Sequence, residues 1–230
     1  MPRTRIKICG ITRPEDAALA CQLGADAIGM VFHPDSRRCV SSDIARQILS
    51  VLRPFTTPVG LFVDASPQSI LDTARDLSLN HVQLHGHESP EMIADLQQQD
   101  RSLSILKAIR VEPGRFAQTL EYWRQAIASL KLAQLKSFVL ETPSPAPGGT
   151  GLPNDWKTIA THQQAGHARG LPPLIAAGGL TPLTVADVIE QLHPFAVDVS
   201  SGVEEQFGIK SEQKLRTFFD AVRLMDRCSE

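Results

Sequence analysis

Short apolar runs alternate with helix-patterned stretches along this chain. The runs at residues 5–8, 27–32, 58–63, 81–84, 104–109, 136–140, 174–177 and 196–199 are rich in Ile, Val, Leu and Ala and carry few charges. That pattern predicts parallel strands buried on both faces. The stretches between them carry helix punctuation. Pro14–Leu23 opens on a proline suited to a first turn and stops at Gly24. Ser66-Pro67 opens another helix, Ser89-Pro90-Glu91 a fourth and Thr181-Pro182 a seventh. The last helix is predicted over about 211–227. Eight strands, each followed by a helix, predict the α/β class and a single (β/α)8 TIM barrel, with eight parallel strands inside an outer ring of helices. No linker divides residues 1–230, so the chain reads as one domain. A doubly wound open sheet satisfies the same local pattern, because periodicity does not report closure.

Polar residues and glycines collect where the apolar runs stop. Cys9 follows the first run, Asp64 the third, His85 the fourth, Arg110 the fifth and Glu141 the sixth. Gly178-Gly179 follows the seventh run and Ser200-Ser201-Gly202 the eighth. In a barrel these ends share one rim, the face on which such folds do chemistry. Glycines let backbone N–H groups approach a ligand, and a serine–glycine turn offers a nest of donors for an anion. Either motif alone is as well read as an ordinary turn. At the ends of strands seven and eight together they favour a phosphate.

Cys9 is either a core thiol or a working one. An ordinary cysteine is only a few per cent thiolate at neutral pH, so action as a base calls for a neighbouring cation. Lys7, two residues away on the same strand face, is the candidate. Glu141, at the edge of an apolar wall, suits a general acid if its surroundings favour the protonated form, and is otherwise a solvated loop residue. Arg38 could fork onto a carboxylate or phosphate, although paired arginines on a loop are more often simply solvated. His81, His85 and His87 lack a metal-binding framework, so no metal is expected. Gly149-Thr150-Gly151 fails both the dinucleotide and Walker patterns.

Composition narrows the classes further. The chain has 230 residues, 42% of them hydrophobic, and a formal net charge of -2. The interspersed charges show no footprint for nucleic acid and no basic patch for a membrane surface. No apolar stretch reaches transmembrane length, and the start lacks a signal-peptide core. Four cysteines without C-x-x-C spacing read as reduced thiols in a cytoplasmic protein. Cys21, Cys39 and Cys228 are structural or incidental. The segment 142–151, rich in Pro and Gly, is too long for a minimal turn and is expected to be a lid or binding loop.

Taken in order, several blocks resemble the phosphoribosylanthranilate isomerases of tryptophan biosynthesis. They are Lys7-Ile8-Cys9-Gly10-Ile11-Thr12, Ser36-Arg37-Arg38, Val59-Gly60-Leu61-Phe62-Val63, Val82-Gln83-Leu84-His85-Gly86, Gly148-Gly149-Thr150-Gly151, Ala177-Gly178-Gly179-Leu180 and Val197-Asp198-Val199-Ser200-Ser201-Gly202-Val203-Glu204, followed by Gly208-Ile209-Lys210. The resemblance implies a cofactor-free barrel that carries out an Amadori rearrangement of a small phosphoribosyl substrate, as a monomer or homodimer. It implies Cys9 as general base and Arg38 as holder of the anthranilate carboxylate. Gly178, Gly179, Ser200 and Ser201 would cradle the phosphate, and His85 and Asp198 would line the sugar site.

One position departs from the family pattern. The family's acid is an aspartate closing the sixth strand, where this chain has Glu141. The expectation is that Glu141 still serves, with a local adjustment absorbing the extra methylene; Asp155 is a substitute only if the Pro-rich loop folds inward. Leu152-Pro153-Asn154 also replaces a lysine- and phenylalanine-containing stretch. Two rival readings are a related isomerase of histidine biosynthesis, which carries aspartate where Cys9 stands, and a non-catalytic phosphosugar-binding barrel.

Overall fold

The computed structural model describes residues 3–112, 114–141 and 155–228. The strands are β1 (Arg5–Ile8), β2 (Ala27–Val31), β3 (Thr57–Phe62), β4 (His81–Leu84), β5 (Ser104–Arg110), β6 (Leu135–Glu141), β7 (Leu174–Ala177) and β8 (Ala196–Val199). They pair in parallel in sequence order, and β8 returns to β1 through Arg5↔Ala196 to Ile8↔Val199. The sheet is therefore a closed (β/α)8 barrel rather than an open one. The helices are α1 (Pro14–Leu23), α2 (Ser42–Ser50), α3 (Pro67–Asp76), α4 (Pro90–Gln99), α5 (Phe116–Leu130), α6 (Trp156–Gln164), α7 (Val185–Leu192) and α8 (Glu212–Cys228).

Side chains alternate between two faces along each strand, as the pleat requires. Ile6, Ile8, Ile28, Met30, Val82, Leu84, Phe138, Leu140 and Val197 join helix residues such as Ala17, Ile48, Ile70, Ile93 and Phe218 in one large core. Full burial of each such Ile, Leu or Phe contributes roughly 1.5–3 kcal/mol, so stability resides mainly in this outer layer. The intervening positions form two small clusters of residues on the strands or directly after them. One holds Leu106, Ala108, Val139, Ile175, Ala177 and Ala196, and the other Cys9, Val31 and Leu61. These line the barrel interior, which places Cys9 at its mouth.

Serine caps start three helices, two of them, at Ser66 and Ser89, where the sequence suggests. Ser41, Ser66 and Ser89 each accept from the amide three residues on, satisfying a donor with no helical partner. Gly24 closes α1 at φ 94°, a left-handed geometry that suits glycine. The seventh helix starts later than expected, at Val185. Thr181 and Thr184 instead close a turn, with the Thr181 amide donating to Thr184 Oγ1 and the Leu183 amide to Thr181 Oγ1. Strands β5 and β6 also run one residue further than expected, so Arg110 and Glu141 are paired strand residues. A single 3-10 turn (Ser201–Val203) and a hairpin of β9 (Glu204–Gln206) and β10 (Ile209–Lys210) follow β8. Both are too short to show a sequence period. No helix among the described residues is long and apolar enough to cross a membrane.

Candidate active site

Cys9 is the first residue beyond β1, fixed by its N–H donating to the Val199 carbonyl at 2.8 Å. Its sulfur packs against Gly29 of β2, where a Cβ would stand 2.9 Å from Sγ and 3.2 Å from Lys7 Nζ. Glycine at that position thus makes room for the thiol and the ammonium together. Lys7 Nζ in turn donates to Asp198 Oδ2 at 2.7 Å, and both side chains are buried. The cation expected beside Cys9 is therefore present. Its effect is outweighed: burial raises the Cys9 pKa and Asp198 adds to that, while Lys7 and Lys210 pull it down. At rest Cys9 is held as a thiol more firmly than an exposed cysteine. Burial alone would lower the Lys7 pKa, but Asp198 and Cys9 turn the balance upward and keep the ammonium charged.

A second buried network closes over the Cys9 backbone. Arg38 forks onto Glu204, with Nε to Oε1 at 2.8 Å and Nη2 to Oε2 at 2.7 Å. Lys210 Nζ reaches Glu204 Oε1 at 2.9 Å, the Cys9 carbonyl at 2.7 Å and the Ser200 carbonyl at 3.1 Å. Burial pushes the Glu204 pKa up, yet its bonds to Arg38 and Lys210 hold it below the ordinary carboxylate value. The Lys210 pKa is lowered as well, by burial against the pull of Glu204. Gly10, at φ 68°, is needed twice over: a Cβ there would meet Arg38 Cδ at 2.5 Å and Ser200 Oγ at 2.9 Å. Arg38 is thus a buried, paired residue rather than a solvated one, and its guanidinium lies over the exposed ring of Phe207 at 5.3 Å.

The ends of β7 and β8 are pressed together. Gly178 and Gly179 adopt φ 90° and 68°, leaving their amides without flanking side chains. At Gly202 a Cβ would lie 1.8 Å from the Leu180 carbonyl oxygen. The Gly178-Gly179 and Ser200-Ser201-Gly202 turns are therefore adjacent, an arrangement with the donors to hold an anion.

Across the mouth, His85 lies just beyond β4 and Glu141 ends β6. His85 Nε2 stands 3.4 Å from Glu141 Oε1, and Gln83 Nε2 donates to His85 Nδ1 at 2.8 Å. Gln83 is fully buried. Gln83 Oε1 and Asp198 Oδ1 are the buried side-chain oxygens with no partner among the described residues. Asp64, by contrast, is bound to His87 and its amide to Glu88, and Arg110 is exposed. Asp155 caps α6 by accepting from the Thr158 amide at 3.0 Å, which turns it to local work. Among the described residues no group of three or more His, Cys, Asp or Glu could hold a metal ion. The segment 142–151 and Leu152-Pro153-Asn154 lie outside the described residues.

Sequence reasoning singled out neither Gln83 nor the roles of Glu204 and Lys210. It also missed Lys107, buried on β5, whose Nζ pairs with Glu88 at 2.8 Å and anchors the loop after β4 through the Gly86 carbonyl. A lysine inside an apolar strand was the available signal, since a buried charge requires a partner.

The chain matches the family model for N-(5'phosphoribosyl)anthranilate (PRA) isomerase over residues 6–221. It is 42% identical over 225 residues to the N-(5'-phosphoribosyl)anthranilate isomerase of Pseudomonas fluorescens (strain SBW25), covering 97% of each chain. Its structure is similar to that of phosphoribosyl anthranilate isomerase from Thermotoga maritima, with a TM-score of 0.82, 36% identity and coverage of 96% of this chain and 98% of that one. It is also similar, at a TM-score of 0.79, 34% identity and the same coverage, to a phosphoribosyl anthranilate isomerase in complex with reduced 1-(o-carboxyphenylamino)-1-deoxyribulose 5-phosphate.

Proposed function

The chain belongs to the N-(5'-phosphoribosyl)anthranilate isomerase family and is an isomerase of tryptophan biosynthesis, and from that premise we propose how its residues divide the work. The substrate, N-(5-phosphoribosyl)anthranilate, lies across the mouth with its phosphate on Gly178, Gly179, Ser200 and Ser201. Arg38 holds the anthranilate carboxylate through donors not used by Glu204, while His85 and Asp198 line the sugar. Glu141 protonates the furanose ring oxygen, and the C1–oxygen bond breaks to give a Schiff base. Cys9, as thiolate, takes the proton from C2, leaving an enolamine that tautomerises to the ketone 1-(2-carboxyphenylamino)-1-deoxyribulose 5-phosphate. No step calls on a cofactor, and the chain works in the cytoplasm.

The observation that carries this assignment is the pairing of contrasts at one rim. A thiol at the end of β1, beside a buried ammonium, faces the same mouth as a partly exposed carboxylate at the end of β6. Burial favours the neutral thiol, so the working thiolate has to be drawn out by Lys7 and Lys210, the groups that pull its pKa down. The longer Glu141 side chain has His85 to hold its end, which supports its standing in for an aspartate.

The test follows loss of substrate fluorescence in the purified protein. Cys9→Ser and Glu141→Gln are each expected to lower the rate on the order of 10²–10⁴-fold, the usual contribution of a positioned base or acid. A Glu141→Gln enzyme near the wild-type rate would place the acid elsewhere. Glu141→Asp is expected to be slower than wild type if the His85 contact positions the carboxyl; a faster variant would show glutamate to be only a tolerated imperfection.

A further inference from the structure

We propose that the buried pair of Lys107 and Glu88 positions His85 against Glu141, so that residues outside the barrel wall set the aim of the acid. The inference rests on Glu141 being the acid and on His85 holding its end.

The pair sits behind the mouth rather than in it. Leu106 and Ala108, on either side of Lys107, line the barrel interior, so the pleat turns Lys107 outward, into the layer between strands and helices. Glu88 directly precedes Ser89, the cap of α4. The two side chains are 4% and 0% exposed, and neither reaches a substrate in the mouth. Stability is a weak reason for a charge pair in such a place. Desolvation offsets most of the attraction, and an apolar pair of similar volume often serves as well. What an apolar pair cannot supply is hydrogen bonds to the backbone.

Those bonds converge on one residue. Lys107 Nζ donates to the Leu84 carbonyl at 3.3 Å and to the Gly86 carbonyl at 2.8 Å, the neighbours of His85 on either side. Its third acceptor, Glu88 Oε2 at 2.8 Å, accepts in turn from the Gly86 amide at 2.9 Å. Glu88 Oε1 takes the Asp64 amide at 2.9 Å, which ties the turn to the end of β3. Asp64 holds a left-handed backbone at φ 49°, and its Oδ2 lies 3.0 Å from His87 Nδ1. A Cβ on Gly86 would strike the Asp64 carboxylate, so the two turns close up only around a glycine. The backbone at His85 is thus fixed from both sides, while Gln83 fixes the ring by donating to Nδ1 at 2.8 Å. Nε2 then carries the ring hydrogen and stands 3.4 Å from Glu141 Oε1. A displacement of about 1 Å in an oriented site can cost on the order of 10²-fold in rate, so slack in this turn reaches the acid. Lys107 and Glu88 are positioning residues that act through His85.

Lys107→Met combined with Glu88→Gln removes both charges together, leaves no buried ion unpaired and keeps an acceptor for the Gly86 and Asp64 amides. This double variant should fold and lose on the order of 10- to 10²-fold in kcat. KM should change by a smaller factor, because the turns after β7 and β8 are untouched. Action through His85 is read from a cycle with His85→Ala. In that background the double change should alter kcat by less than about twofold, and its loss in the wild-type background should not exceed that of His85→Ala. A loss carried undiminished into His85→Ala, or larger than that of His85→Ala itself, shows a general loosening of the rim and overturns the proposal. So does an unchanged kcat in either the double variant or His85→Ala. Should the double variant fail to fold, Glu88→Gln alone, which keeps the ammonium, carries the same cycle with a smaller loss expected. Glu141→Gln is the separate control: a rate near wild type defeats the acid assignment whatever the cycle shows. A slow Glu141→Gln enzyme with an additive cycle defeats the positioning role alone.

Discussion

Replacing Lys7 by methionine removes the ammonium while nearly keeping the volume, and it tests how the interior of the barrel holds its charges. Lys7 Nζ and Asp198 Oδ2 are 2.7 Å apart with both side chains buried. At an effective dielectric of about 20 their gross attraction is about 6 kcal/mol, from which desolvation of the two ions removes several. The informative quantity is the cost of removing one partner. Asp198 Oδ1 has no partner, so Lys7→Met leaves a buried carboxylate with neither oxygen paired. Breaking a buried pair this way costs about 3–5 kcal/mol, or roughly 6–20 °C in Tm for a chain of this size. Asp198→Asn should cost a similar amount. Urea unfolding of both single variants and the double variant closes the cycle. The double variant should be more stable than the sum of the singles predicts, by up to about 3 kcal/mol. The Cys9 thiol gives an independent reading. Burial raises its pKa first, Lys7 lowers it and Asp198 raises it. Alkylation of the Cys9 peptide, followed by mass spectrometry against pH, should therefore shift to higher pH in Lys7→Met and to lower pH in Asp198→Asn. Additive stabilities, or shifts in the same direction, would refute the reasoning.

Two further outcomes follow from the rim. Glu204 has a pKa held below its ordinary value despite burial, by Arg38 and Lys210. Its stabilisation is present above the unfolded carboxylate pKa of about 4.3 and is lost as pH falls through the lower folded value. Tm measured from pH 7 to pH 3 should thus fall more steeply in wild type than in Glu204→Gln, and parallel slopes would dismiss the effect. Gly202→Ala forces a Cβ against the Leu180 carbonyl oxygen, so the turns after β7 and β8 must part, with a stability loss of roughly 1–3 kcal/mol. KM should rise with a smaller change in kcat, as expected when an interaction common to ground and transition states is lost; an unchanged KM would take those turns out of substrate binding.

The strands were readable because strands buried on both faces are apolar runs that stop where the chain meets solvent. Residues 5–8, 81–84, 174–177 and 196–199 are strands with those bounds. The rim was readable for the same reason, since chemistry-bearing residues fall where the runs end. Thr181-Pro182 misled because a threonine before a proline looks like a cap, while the hydroxyls of Thr181 and Thr184 hold a turn instead. The hairpin of β9 and β10 has too few residues for any periodicity. Pairings were the hardest to read. Arg38 and Glu204 are 166 positions apart, and adjacent arginines on a loop carry no mark of a distant carboxylate. Lys210 bonds the Cys9 carbonyl across 201 positions, through a contact between side chain and backbone that no residue pattern encodes.

Those same pairings answer the question that periodicity left open. Alternating strands and helices fit a closed barrel and a doubly wound sheet equally well, but the position of Lys7 does not. It lies inside a buried strand, on the face shared with Cys9, and burial of an unpaired ammonium is costly. Its carboxylate is on β8, and the two residues are register partners in the β1–β8 pairing that closes the barrel. In an open sheet with β1 and β8 apart, Lys7 and Asp198 would each be buried without the other. Closure therefore joins the ends of the sheet and brings the Asp198 carboxylate to the cation beside the Cys9 thiol in a single step. The residue that best distinguishes the two folds is also the one that sets the electrostatic surroundings of the proposed base.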